Sequence, residues 1–234
     1  MVQNKLIEDP FEPDYIFFGG TFDPPHQGHL DCFSNCKQRF PNAQVIVLPS
    51  PTPPPVDGKA KQTNCDFETR LTMCRLLFPQ DSVSDFENRL NPPYFTLKTL
   101  TELKERFPGK KFGFLIGHDN LKNFAKWHEP KKILKETSLV VIRRDSPQRT
   151  YSGNLKNLIT HVAEQLGEPF QWDQARQQAK FPGIFSSIYL IDKPISVASS
   201  TAIREFIGKT QPMPSMWLPE AVRQYIEQNQ LYRG

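Results

Sequence analysis

Apolar residues fall along the chain in two rhythms, short continuous runs and longer stretches in which they recur every three or four positions. Tyr15 to Phe18, Gln44 to Leu48, Lys111 to Ile116, Leu139 to Arg143 and Ile188 to Ile191 are runs of the first kind, and they predict buried strands. Phe67 to Phe78, Phe95 to Phe107 and Lys131 to Glu136 have the second rhythm and predict helices. Strand, helix and strand between Tyr15 and Leu48 have the spacing of one parallel crossover. The alternation then repeats, so the chain predicts an α/β fold, a doubly wound parallel sheet with helices on both faces. Ligands of such sheets sit beyond the carboxyl ends of the strands. Gly19-Gly20, Pro49-Ser50, Gly117-His118 and Arg143-Arg144 all fall there, on one rim.

Between these elements the polar stretches differ in character. Pro49 to Asn64 begins as a proline run that stays extended and ends in a glycine-lysine tail, which predicts a mobile loop. Residues 145–186 are long, polar and glutamine-rich, with one amphipathic helix expected from Asn154 to Leu166; they read as an insertion within the domain. His161 on that helix reads as a surface residue, and Trp172 carries no motif. Residues 1–14 are acidic and predict a loose N-terminal arm.

Composition narrows the class. A chain of 234 residues with 38% hydrophobic residues supplies one sizeable core, so residues 1–234 are expected to form a single domain. Lys and Arg number 29 against 25 Asp and Glu, a formal charge of +4 that is too mild and dispersed for nucleic acid yet suits a small anion. No run approaches the roughly 20 apolar residues of a membrane span, and no signal-length segment opens the chain, so a cytoplasmic protein is expected. Cys32, Cys36, Cys65 and Cys74 suit reduced thiols there. His26, His29, Cys32 and Cys36 are all of zinc-ligand type. One straight helix would spread them over roughly 15 Å, too far for a tetrahedral ion, so no protein-held metal is expected.

The chemistry concentrates after the first strand, in Phe17-Phe18-Gly19-Gly20-Thr21-Phe22-Asp23-Pro24-Pro25-His26-Gln27-Gly28-His29. Two glycines end the strand with backbone freedom, and Asp23-Pro24-Pro25 keeps the chain out of helix until about Pro25. His26 and His29, three apart, then face the same way in a first helical turn, with Gly28 leaving room for close approach of a ligand. A helix start with free N–H groups and two imidazoles favours a polyanion, which points to a nucleotide. Histidines that merely cap a helix would need neither the glycine pair nor the prolines.

A second constellation is Ile195-Ser196-Val197-Ala198-Ser199-Ser200-Thr201-Ala202-Ile203-Arg204-Glu205, again a strand followed by a helix start. Ser199, Ser200 and Thr201 are capping residues, and Thr201 and Arg204 share a face, which would aim a guanidinium fork at phosphate oxygens. The bland account, an ordinary cap and a surface arginine, explains this stretch equally well when it is taken alone.

Taken together, G-G-T-F-D-P-P-H-Q-G-H and S-S-T-x-I-R closely resemble the two signatures of the nicotinate-nucleotide adenylyltransferases, within the H-x-G-H nucleotidyltransferases. The resemblance runs from Ile16 to Tyr232 with gaps. It takes in Ile116-Gly117-His118-Asp119-Asn120, Trp127, the Arg143-Arg144 pair and a closing helix from Leu218-Pro219-Glu220 to Leu231-Tyr232-Arg233. It implies a Rossmann-like nucleotidyltransferase fold. The implied reaction joins the AMP part of ATP to nicotinate mononucleotide, giving deamido-NAD and pyrophosphate, with Mg2+ held by ATP's phosphates and water.

By that resemblance His26 and His29 would stabilise the α- and leaving phosphates, and Arg204 the β/γ end. Gly19, Gly20, Thr21, Phe22, Arg144, Ser199, Ser200 and Thr201 would line the substrates, and Asp119 would bind the ribose. Trp127 would stack on the pyridine ring, whose carboxylate would meet the N–H groups of Thr96 and His128. The residues alone leave Trp127 equally well a core partner of Phe124, and Asp119 a helix cap.

Two positions depart from the family pattern. Where a histidine and a basic residue usually follow Pro-Pro in the loop, Pro55 and Val56 follow Pro54, with Lys59 and Lys61 the nearest cations; and Phe95 stands at the usual tyrosine. Other acceptors of the superfamily, nicotinamide mononucleotide or phosphopantetheine, stay open, as does a non-catalytic nucleotide-binding regulator. A homo-oligomer is compatible with the sequence.

Overall fold

The computed structural model describes residues 11–53, 62–143, 155–184, 186–193 and 195–233. Residues 1–10 of the expected arm, the loop positions Pro55, Val56, Lys59 and Lys61, Arg144, and the start of the 145–186 segment lie outside the described residues.

The five apolar runs become strands β1 (Tyr15–Gly20), β2 (Gln44–Pro49), β3 (Phe112–Gly117), β4 (Ser138–Ile142) and, after two short strands β5 (Gln171–Asp173) and β6 (Gln178–Phe181), β7 (Ser186–Ile191). They form one sheet in the order β2-β1-β3-β4-β7-β6-β5. The first five of that order pair in parallel, whereas β6 and β5 run antiparallel at one edge. The doubly wound parallel sheet expected from the sequence is present, and two antiparallel strands extend it at one edge. The added strands hide from hydropathy because they are short and polar. Gln178 is buried, but its side-chain amide donates to Ser187 Oγ and to Tyr189 Oη, both at 2.8 Å, which compensates its desolvation.

The helices are α1 (Gln27–Arg39), α2 (Phe67–Leu77), α3 (Thr96–Arg106), α4 (His118–Leu121), α5 (Pro130–Glu136), α6 (Leu155–Leu166), α7 (Ser200–Gly208) and α8 (Glu220–Gln228). Alternation along the strands divides the core in two. Ile16, Phe18, Val45, Val47, Leu115 and Val140 meet α1, α2, α7 and α8 on one face; Phe17, Phe112, Phe114, Ile116 and Val141 meet α3, α5 and α6 on the other. Strands covered on both faces must be apolar throughout, which is why they read as continuous runs. Phe11 stacks on Tyr189 at 4.6 Å, and Asp14 bonds Lys110 Nζ at 2.8 Å, so the described end of the arm is packed and not loose. No helix among the described residues is long and apolar enough to cross a membrane.

The register aligns the strand ends. Gly20 lies beside Pro49, and Gly117 beside Ile142, which lies beside Ile191. The chain leaves β1 for β2 on one side and returns to β3 on the other, so the order in which strands are added reverses between β1 and β3. A crevice opens at such a point.

Candidate active site

The turn after β1 is built by close packing. A Cβ on Gly20 would lie 2.9 Å from the Phe22 ring, and one on Gly28 would lie 2.9 Å from the Ser196 carbonyl oxygen. The space at Gly28 expected for a ligand is thus filled by the second signature's backbone. Nor does the left-handed backbone fall on the glycine pair; it falls on Phe22, at φ 51°. Strain at a non-glycine residue is tolerated because the Phe22 ring is locked against Phe18 (5.3 Å), His29 (4.9 Å) and Phe78 (6.1 Å).

His26 is the N-cap of α1, in extended backbone at φ −152° and ψ 174°. Three residues on, His29 Nδ1 accepts the His26 backbone N–H at 3.2 Å, the part glutamate or glutamine plays in a capping box. The rings lie 3.8 Å apart. They are not equivalent, since His26 is 1% exposed and His29 half-buried. With Nδ1 accepting, the neutral His29 ring carries its proton on Nε2, which is then a donor.

The second signature docks onto this turn. Ser199 caps α7 by accepting Ala202 N–H at 3.2 Å, and Ser200 Oγ donates to the Pro24 carbonyl at 2.9 Å. Arg204 Nη1 donates to the Asp23 carbonyl at 2.6 Å, and Nη2 reaches Thr201 Oγ1 at 3.5 Å. Asp31 on α1 accepts Ser196 N–H at 2.6 Å. Thr201 and Arg204 share a face as expected, but one arm of the fork is engaged by backbone.

Several residues here went unread in the sequence. Asp23 is 4% exposed; its Oδ1 accepts Tyr232 Oη at 2.8 Å and its Oδ2 accepts Asn64 N–H at 2.7 Å, tying the C-terminal segment and the base of the proline loop to the turn. Burial pushes the Tyr232 phenol up, and bonding to Cys65 and the nearby Asp23 push it further. Arg70, fully buried, binds four carbonyl contacts around the rim. Buried Glu87 accepts Thr99 Oγ1 at 2.8 Å, and desolvation pushes its carboxyl up to about 7 against its bonds to Thr99 and Ser50. Arg70 had a readable signal, an arginine on the apolar stripe Phe67, Leu71, Cys74, Leu77 of an amphipathic helix. The pairing of Asp23 with Tyr232, 209 positions apart, had none.

Across the crevice, the expected acceptor-side residues gather. Thr96 is the first residue of α3, whose N-cap Phe95 offers no side-chain cap to the first-turn N–H groups. The Phe95 ring stacks on His128 at 4.4 Å and 21°. A hydroxyl-free ring thus fills the usual tyrosine position by packing alone. Trp127 is half-buried, edge-on to Phe114 at 6.4 Å, and the Phe114 ring lies 2.9 Å from where a Gly19 Cβ would be. Trp127 thus packs on the core and stays partly exposed. Asp119 is exposed in the first turn of α4 beyond β3; Gly117, not Asp119, is that helix's N-cap.

No group of three or more His, Cys, Asp or Glu converges as a metal site among the described residues. Cys32 and Cys36 pack in the core, where burial pushes the Cys36 thiol up to about 12.

Residues 17–206 match the cytidylyltransferase-like family. The chain is 30% identical over 219 residues to the probable nicotinate-nucleotide adenylyltransferase of Shewanella pealeana, covering 92% of this chain and 94% of that one. It is 33% identical over 224 residues to the probable nicotinate-nucleotide adenylyltransferase of Yersinia pestis, covering 94% and 96%. Its fold is shared with Plasmodium falciparum nicotinic acid mononucleotide adenylyltransferase complexed with APC, at TM-score 0.64 and 18% identity over 94% of this chain and 97% of that one. With both signatures assembled on one rim and this extent of similarity, the chain belongs to the nicotinate-nucleotide adenylyltransferase family of the cytidylyltransferase-like nucleotidyltransferases.

Proposed function

We propose that this adenylyltransferase, acting in the cytoplasm, transfers AMP from ATP to nicotinate mononucleotide, giving deamido-NAD and pyrophosphate. The observation that carries the reading is the docking of the second signature on the first, through Arg204 to Asp23 and Ser200 to Pro24. A 5′-phosphate oxygen of the mononucleotide attacks ATP's α-phosphorus in line; that P–O bond forms as the bond to the β-phosphate oxygen breaks, and pyrophosphate leaves with the electron pair. No side chain becomes covalent.

The protein's part is to place two anions and to stabilise charge spreading onto the transferring and leaving oxygens. His29, with Nε2 as donor, faces the α- and leaving phosphates; His26 fixes the helix start and its N–H groups behind them. Arg204 spans Asp23, Thr201 and the β/γ end. Gly19, Gly20, Thr21, Phe22, Ser199, Ser200 and Thr201 form the wall, with Asp119 at the ribose, and Arg144 is assigned to the substrates by the family resemblance alone. Trp127 stacks on the pyridine ring, and the Thr96 and His128 N–H groups receive its carboxylate.

Magnesium suits this site as an ion brought by ATP. Both Asp23 oxygens are engaged by Tyr232 and Asn64, and the remaining side chains of the turn are imidazoles, hydroxyls and a guanidinium, which suit phosphate oxygens. The bound ion supplies charge neutralisation on the phosphates.

The test is pyrophosphate release from magnesium-ATP with nicotinate mononucleotide, nicotinamide mononucleotide and phosphopantetheine in turn. Release with nicotinate mononucleotide in preference to nicotinamide mononucleotide supports the reading. Release with phosphopantetheine alone reassigns the acceptor, and ATP binding without release under any acceptor makes the protein a regulator.

A further inference from the structure

The Arg70 guanidinium is 0% exposed and sits on the apolar stripe of α2, yet no acidic side chain hydrogen-bonds it among the described residues. Its acceptors are all backbone carbonyls. Nη1 donates to Thr21 at 2.6 Å and to Ser50 at 2.8 Å, Nη2 to Pro51 at 2.8 Å, and Nε to Cys65 at 3.2 Å. Three separate segments are joined: the first signature's turn, the end of β2 and the loop entering α2. Burial pulls the guanidinium down from its ordinary value, with nearby Asp23 the first neighbour opposing it. An apolar side chain would fill this space without desolvating a charge. Only a planar fork with several donors reaches all three segments at once; an ammonium on one flexible stem does not.

The bond to Thr21 has a directional consequence. The Thr21–Phe22 peptide is trans, so with its carbonyl drawn towards Arg70 its N–H, on Phe22, faces away from α2. We propose that Arg70 is a positioning residue for the nucleotide: by holding the Thr21 carbonyl back it presents the Phe22 N–H to ATP's phosphates. It acts through the backbone and does not touch ATP. The proposal rests on the assignment of ATP to this rim.

The experiment compares wild type with Arg70→Lys and Arg70→Met, measuring kcat and KM for ATP and for nicotinate mononucleotide alongside thermal unfolding. Both variants are expected to raise the ATP KM at least roughly tenfold, the loss of one charge-assisted donor, while the mononucleotide KM stays within about twofold. A purely structural arginine would lower kcat in proportion to the folded fraction and leave both KM values alone. That pattern, or an equal rise in both KM values, overturns the proposal. Should the variants not fold, the wild-type Phe22 amide is followed by NMR on adding a non-hydrolysable ATP analogue. A shift with the analogue and none with the mononucleotide supports the proposal; no shift with the analogue overturns it. The amide measurement needs no turnover, so it separates this inference from the reading of the reaction, which fails if wild type releases no pyrophosphate.

Discussion

Arg204 Nη1 donates to the Asp23 carbonyl oxygen at 2.6 Å, joining residues 181 positions apart. Asp23 in turn holds Tyr232 and Asn64 by its carboxylate, so one residue ties both signatures, the C-terminal segment and the loop base. Lysine at position 204 keeps the charge and loses the fork that spans backbone and phosphate. Arg204→Lys is therefore expected to raise the ATP KM roughly tenfold at saturating nicotinate mononucleotide. If steady-state kinetics showed a rise in the mononucleotide KM alone, Arg204 would belong to the acceptor.

His29 has two separable jobs. Its Nδ1 closes the cap of α1, and in the proposed function its Nε2 is the donor to the phosphates. His29→Ala loses both, so it should cost about 1 kcal/mol of stability and about 10²–10³ in kcat. His29→Gln restores a side chain that caps at that position and should recover the melting temperature while staying slow. Melts and kcat on the three proteins decide it; a glutamine variant with wild-type kcat would make the histidine only a cap.

Glu87 makes stability depend on pH. Its carboxyl is raised by burial from the usual 4.5 to about 7, so the folded state holds the proton more tightly than the unfolded chain. Its contribution is full below about pH 4.5 and is lost as pH rises through 7, an order of about 3 kcal/mol. Asp66 and Glu129, held below the usual carboxylate range by their hydrogen bonds, contribute with the opposite sign, so the difference between wild type and a variant isolates Glu87. Denaturant unfolding from pH 4 to 8 should show Glu87→Gln gaining on wild type across that window and level above it. A constant difference across the window refutes the assignment.

The five parallel strands and the helices between them were legible because buried parallel strands must be apolar and their connections helical. β5 and β6 were not, since three- and four-residue polar strands leave no hydropathy signal, and Gln178 is buried only by virtue of partners brought from β7. The two signatures were legible as helix starts, but their mutual docking depends on contacts such as Gly28 with the Ser196 carbonyl, which no local pattern encodes. Gly28 was read as room for a ligand for the same reason. Local chemistry showed that a small residue was required, and only tertiary structure shows what approaches it. Phe95 illustrates the converse, a departure from the family pattern that the stack on His128 turns into a packing contact.

In the proposed function the acceptor side of the site reads a pyridine carboxylate. Two backbone N–H donors, from Thr96 and His128, form stronger hydrogen bonds to a carboxylate than to an amide, about 1.5–3 against about 1 kcal/mol each. The measurement is kcat/KM for nicotinate and nicotinamide mononucleotides with wild type and Trp127→Ala. Wild type is expected to prefer the nicotinate form at least roughly tenfold, and Trp127→Ala to weaken both acceptors while leaving their ratio nearly unchanged. Equal use of the two mononucleotides by wild type would contradict the claim.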